Sequence, residues 1–90
     1  MPRKRDLLVT NLTSKGFEKS EGHHIFLLYR RKDGLKTAIR TKVSRGSSHR
    51  DLSDIILGQM AKQVRLSNKV FLQLVDCTLD QGGYENLVNP

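Results

Sequence analysis

Residues 23–43 constrain the fold of this chain more than any other stretch. Five consecutive apolar residues, Ile25-Phe26-Leu27-Leu28-Tyr29, lead through Lys32-Asp33-Gly34 into an alternating segment from Lys36 to Val43. An apolar run of that length is strand-sized, and an Asp-Gly pair between two such segments is a hairpin signal. The first strand is expected from His23 to Arg31 and is apolar on both faces. In the second, a period of two places Thr37, Ile39, Thr41 and Val43 on one face and Lys36, Ala38, Arg40 and Lys42 on the other. One side of the hairpin is thus a row of cations. Such a row serves either as a solvated face that discourages edge pairing or as a surface for phosphates.

The flanking segments supply helices. Lys4 to Lys15 reads as a short first helix with Leu8 and Leu12 at i, i+4 spacing. Gly16 provides a left-handed C-terminal residue, and Phe17 packs back on the helix. Phe17 to Ser20 is a short strand, and Glu21-Gly22 a bend. Ser48-His49-Arg50-Asp51 has the spacing of a capping box. A helix is expected after it, with Leu52, Ile56, Met60 and Val64 on one face and Ile55 beside them. Ser67 caps a further helix that buries Val70, Phe71 and Leu74. Thr78-x-x-Gln81 caps a last turn or helix reaching Leu87 and Val88, weakened by Gly82-Gly83. The predicted fold is α+β, a two-layer sandwich with helices over one face of a small antiparallel sheet.

Ninety residues suit one domain, 1–90, and argue against a deep substrate cavity. No apolar run approaches the roughly 18 residues that span a membrane. The basic start, Met1-Pro2-Arg3-Lys4-Arg5, lacks the apolar stretch of a signal peptide. A cytoplasmic location is therefore expected. The single cysteine, Cys77, fits a reducing compartment and excludes an internal disulfide. It is expected as a half-buried thiol in a helical tail. The net charge of +7 is unevenly spread: residues 1–50 hold 13 Lys/Arg against 4 Asp/Glu. Nucleic acid is the first partner this suggests, because each phosphate contact releases counterions. An acidic protein or an anionic membrane is attracted by the same field.

Most catalytic constellations are missing from the sequence. His23 and His24 are consecutive and diverge on a strand, and with His49 and one cysteine they do not make a zinc set. No metal or other cofactor is expected. Ser44, Ser47 and Ser48 lack a strand-turn-helix elbow. The acids are scattered, and no Gly-rich phosphate loop is present. What remains is a histidine among cations. An imidazole, with an unperturbed pKa of about 6.5, takes and gives protons at neutral pH. RNA carries its own nucleophile, the 2′-hydroxyl, so its cleavage needs only a base, an acid and cations around the developing charge.

Lys15-Gly16-Phe17 followed by Glu21-Gly22-His23-His24-Ile25-Phe26 resembles the opening of HicA-type toxins. Ile56-Leu57-x-x-Met60 and Leu66-Ser67-x-x-x-Phe71 look like that family's C-terminal helix and ending, so the similarity covers about residues 5–72. The resemblance implies a fold like the double-stranded-RNA-binding domain, helix-strand-strand-strand-helix, over residues 4–74, with residues 75–90 as a C-terminal extension. It implies a ribosome-independent mRNA endonuclease restrained by a HicB-type antitoxin. The family's histidine follows Gly-Ser. Alignment on Ile25-Phe26 places it at His23, which is the first choice, and alignment on the glycine makes His24 the alternate. On this reading Gly22, Lys15, Lys19, Lys36, Arg40 and Lys42 contact RNA. Two departures stand out. Glu21-Gly22 replaces Gly-Ser, and Thr41-Lys42-Val43-Ser44 occupies the place of the family's Pro-x-His. The rival readings are a non-catalytic RNA-binding module of the same fold and a basic domain that binds only an acidic protein.

Overall fold

The computed structural model describes residues 3–44 and 51–89. The elements run β1 (Arg3–Lys4), α1 (Arg5–Thr13), β2 (Phe17–Glu21), β3 (His24–Arg30), β4 (Lys36–Ser44), β5 (Asp51–Leu52), α2 (Asp54–Gln63), α3 (Asn68–Val75) and α4 (Gln81–Val88). Among the described residues this is a compact α+β fold of four helices and a three-stranded antiparallel sheet, in the order β2-β3-β4. A second, two-stranded ladder pairs β1 with β5. No helix among the described residues is long and apolar enough to cross a membrane.

The hairpin expected around Asp33-Gly34 is present. Arg31 and Leu35 close the loop with an N–H to O=C bond of 2.9 Å, and Gly34 takes the left-handed conformation at φ 90°. Facing residues in an antiparallel ladder share a face, and the register sorts the sheet into two. Phe17–Tyr29, Lys19–Leu27–Thr41 and Ile25–Val43 lie on the helix side. Ser20–Phe26–Lys42 and Glu18–Leu28–Arg40 lie on the other. On the helix side Phe17, Ile25, Leu27, Tyr29, Ile39 and Val43 are buried with Leu8, Leu12, Met60, Phe71 and Leu74 from the helices. Burying each such side chain fully is worth about 1.5–3 kcal/mol. The apolar character of β3 is therefore asymmetric in use: Leu28, on the opposite face, stays 38% exposed.

α1 has a weak sequence for a helix and is fixed from outside. Its Leu8, Val9 and Leu12 are buried, while Asn11 Nδ2 and Lys15 Nζ donate to the carbonyls of Val75 and Leu74 at 2.8 and 3.1 Å. Those carbonyls belong to the last turn of α3, where the helical ladder runs out and donors come from beyond it; the Leu74 carbonyl also accepts from the Cys77 N–H at 3.3 Å. A cation at that end also meets the negative pole of the helix.

Two expected helix starts and one buried face differ. The helix after the basic half does not follow a Ser48 box. Ser48 lies outside the described residues, Asp51–Leu52 pairs as a strand with Arg3–Lys4, and Ser53 caps α2 by accepting from the Ile56 N–H. The buried face of α2 is Leu57, Met60 and Ala61, and Ile55 is 75% exposed. Asp80, not Thr78, caps α4, accepting from the Gly83 N–H at 2.8 Å. Ser67 caps α3 as expected.

Residues 75–89 pack into the same core. Val75 ends α3 inside the core, and Tyr84 of α4 is fully buried. Its ring stands edge-on to Tyr29 at 4.8 Å between centroids and tilted against Phe17 at 5.6 Å. Its hydroxyl donates to the Val64 carbonyl at 2.9 Å. The neighbouring Glu85 accepts from both the Tyr29 hydroxyl and the Lys32 N–H. Burial and this carboxylate together push the Tyr29 phenol well above its ordinary range.

Candidate nucleic-acid cleft

β4 is an edge strand, and α2 lies beside it. The seam between them holds two adjoining hollows. One, of about 280 Å³, is lined by His24, Lys42, Ser44, Ile56, Gln59 and Gln63, among others. The other, of about 390 Å³, is lined by Phe26, Arg40, Thr41, Lys42 and Gln63. Lys42 and Gln63 border both, so the two form one cleft.

Each wall follows from local structure. His24 opens β3 opposite Ser44, and Phe26 lies opposite Lys42. The His24 and Phe26 rings meet edge to face at 6.2 Å between centroids, which orients the imidazole over the strand. Arg40 and Lys42 sit two residues apart on the exposed face of β4, as the alternation predicts. Neither has a carboxylate within ion-pair distance among the described residues. By contrast Arg30 is held by Glu18 at 2.6 Å and Arg31 by Asp33 at 3.0 Å. A third hollow, of about 350 Å³, is lined by those two arginines, and their charge is already answered. Lys42, which has no such partner among the described residues, borders the same hollow as His24.

Gln59 and Gln63, at i, i+4 on α2, form the opposite wall. Gln63 accepts from the buried Thr41 hydroxyl through its Oε1, which leaves its NH₂ for a ligand. These two residues went unread in the sequence. Their spacing on one helical face was the available signal.

The expected site residues separate into four groups. His24, Arg40 and Lys42 come together in the cleft. Gly22 and His23 lie in the β2–β3 turn, where the Gly22 N–H donates to the His24 carbonyl at 3.0 Å. His23 is exposed there and precedes the strand, so it does not begin β3 as expected. Lys36 is exposed at the far end of β4, opposite Arg30. Lys15 and Lys19 do not join the cationic face. Lys15 is only 9% exposed because its ammonium serves the end of α3. Lys19 pairs across the ladder with Leu27, on the helix-side face, and meets Glu21 at 3.6 Å. His49 lies outside the described residues. Among the described residues no three His, Cys, Asp or Glu side chains gather as a metal site.

Comparison with family models, with curated proteins and with solved structures finds no match to this chain.

Proposed function

We propose that this chain is a metal-independent endoribonuclease of the toxin class, acting in the cytoplasm on mRNA and restrained by a HicB-type antitoxin. The observation that carries the reading is the placement of His24 in one cleft with Lys42 and Arg40, cations that no carboxylate of the described residues neutralises. The helix-strand-strand-strand-helix order supports a double-stranded-RNA-binding-domain-like arrangement, and the toxin-like pattern of residues 15–26 supports the activity.

The chemistry asks little of the protein. The 2′-hydroxyl attacks the adjacent phosphorus, the 5′-oxygen leaves, and a cyclic phosphate remains. One proton departs from the nucleophile and one arrives on the leaving group. His24 serves one of these transfers as general base or acid, and solvent water serves the other. Lys42 and Arg40 hold the phosphate and stabilise the charge that grows on its oxygens in the transition state. Phe26 offers a ring on which a base stacks, and the Gln59 and Gln63 amides offer donors and acceptors for base edges.

Expression of the chain alone in a bacterial host tests the reading. Growth should stop, and it should resume with His24→Ala. Purified protein should cleave a labelled RNA in the presence of a chelator. Harmless accumulation of folded protein that binds RNA without cutting it would instead support the non-catalytic module.

A further inference from the structure

α2 ends in a backbone motif that favours glycine, and an arginine occupies it. The Leu66 N–H donates to the Ala61 carbonyl at 2.8 Å and the Arg65 N–H to the Lys62 carbonyl at 3.1 Å, with Arg65 left-handed at φ 67°. This is a Schellman ending with Arg65 at the position usually taken by glycine. An L side chain there crowds its own backbone, whereas glycine does not. A cation near a helix C-terminus does gain from the dipole. Lys62 already supplies that cation from within the last turn.

The side chain itself points to another reason. Arg65 borders a hollow of about 210 Å³ with Lys36, Ala38 and Ile39 of β4. Arg31 also lines it, paired to Asp33. Neither Arg65 nor Lys36 has a carboxylate partner among the described residues. The hollow lies on the same β4–α2 seam as the His24 cleft. Along that seam Ile56 borders the hollow of His24 and Ser44, Gln63 that of Thr41, and Arg65 that of Ile39, so α2 runs opposite to β4. Unpaired cations therefore mark the seam from end to end: Lys42, Arg40, Lys36 and Arg65. Six residues of strand separate Lys42 from Lys36, a span of about 20 Å. An extended single strand laid along the seam meets cations at both ends.

We propose that Arg65, with Lys36, forms a second phosphate subsite that holds the RNA strand at the end of the seam remote from His24. The inference rests on the RNA reading above and adds a path for the strand to it. Arg65 is kept at a position where glycine suits the backbone better because its guanidinium is needed by the ligand.

The fold contains its own control. α3 ends in the same motif, with Thr78 N–H to Gln73, Cys77 N–H to Leu74 and Cys77 at φ 65°. Cys77 carries no charge and borders none of the three seam hollows. Arg65→Gly, Cys77→Gly and Arg65→Lys should each be placed in a His24→Ala background, so that the RNA survives. The probe is a fluorescent single-stranded uridine oligonucleotide, titrated by anisotropy over a range of KCl. Both glycine variants should raise the Tm by a few degrees. Only Arg65→Gly should weaken binding several-fold and lower the log–log salt slope, by about 0.7. Arg65→Lys should restore the slope. A fall in Tm on Arg65→Gly, or affinity and slope equal to the parent's, overturns the subsite while leaving the RNA reading in place. A parent that binds no RNA overturns both.

Discussion

The ammonium of Lys15 donates to the main-chain carbonyl of Leu74 across 3.1 Å, joining the end of α1 to the end of α3. The bond crosses 59 residues of sequence and is almost closed to solvent. A charged hydrogen bond of this kind contributes about 1.5–3 kcal/mol. Lys15→Met keeps the aliphatic stem but leaves the carbonyl only its longer bond from the Cys77 N–H, so it should destabilise the fold by about that amount in urea unfolding. RNA affinity should not change, because Lys15 lies away from the cleft. A loss of affinity without loss of stability would return Lys15 to the binding surface.

That lysine shows where the sequence was legible and where it was not. The alternation of Lys36 to Val43 is a local property of the backbone, and β4 obeys it residue by residue. Leu8, Leu12, Phe71 and Leu74 were readable for the same reason, since helical spacing alone selects them. Lys15 looks like any surface cation because its partner is a carbonyl far along the chain. Lys19 changes face through the pairing of β2 with β3, which no periodicity in five residues specifies. Tyr84 was hidden by its neighbours: Gly82-Gly83 lowers helix propensity, yet burial of the ring and its bond to Val64 hold α4 in place. Propensity is a weak prior that tertiary packing overrides. The cleft was half visible, through its cations and histidine, and the glutamine wall depends on how α2 settles beside β4.

The tie between Arg3 and Asp76 makes stability depend on acid. Two bonds of 2.9 Å join the guanidinium to both carboxylate oxygens. The bonds to Arg3 hold the Asp76 carboxyl below its ordinary value. A group whose folded pKa is depressed stabilises the fold above its unfolded pKa of about 3.9, and that contribution disappears as pH falls through the folded value. The pair is partly exposed, so it is worth at most about 1 kcal/mol. Urea midpoints measured from pH 6 downward should fall more steeply for the parent than for Arg3→Gln below about pH 4. Parallel profiles would show that the pair contributes nothing to folding.

The two faces of the sheet predict opposite effects from similar lysines. Arg40→Ala with Lys42→Ala should weaken RNA binding for all sequences and lower the salt slope by about 1.4, two phosphate contacts on a single strand. Lys19→Ala should change neither, because Lys19 lies in the Leu27–Thr41 row on the helix side. Equal effects from the two changes would mean that RNA is attracted by net charge and has no preferred face.

The adjacent histidines provide the sharpest separation. His24 belongs to β3, faces Ser44 across the ladder, touches the Phe26 ring and borders the hollow of Lys42. His23 belongs to the turn before it and is exposed. Alignment with the toxin pattern through Ile25-Phe26 favours His23, whereas the geometry of the cleft favours His24. A general acid or base has to reach the scissile group while cations hold the same phosphate. Of the two adjacent histidines, only His24 borders the hollow of Lys42. His24→Ala should therefore lower cleavage of a labelled RNA by about 10²–10⁴-fold, with RNA affinity retained, since a group acting in the transition state contributes little to ground-state binding. His23→Ala should cleave at close to the parental rate. Circular dichroism confirms that both variants fold, and a chelator in the assay removes contaminating metal-dependent nucleases. A dead His23→Ala beside an active His24→Ala would move the chemistry to the turn, and normal cleavage by both would end the histidine mechanism for this chain.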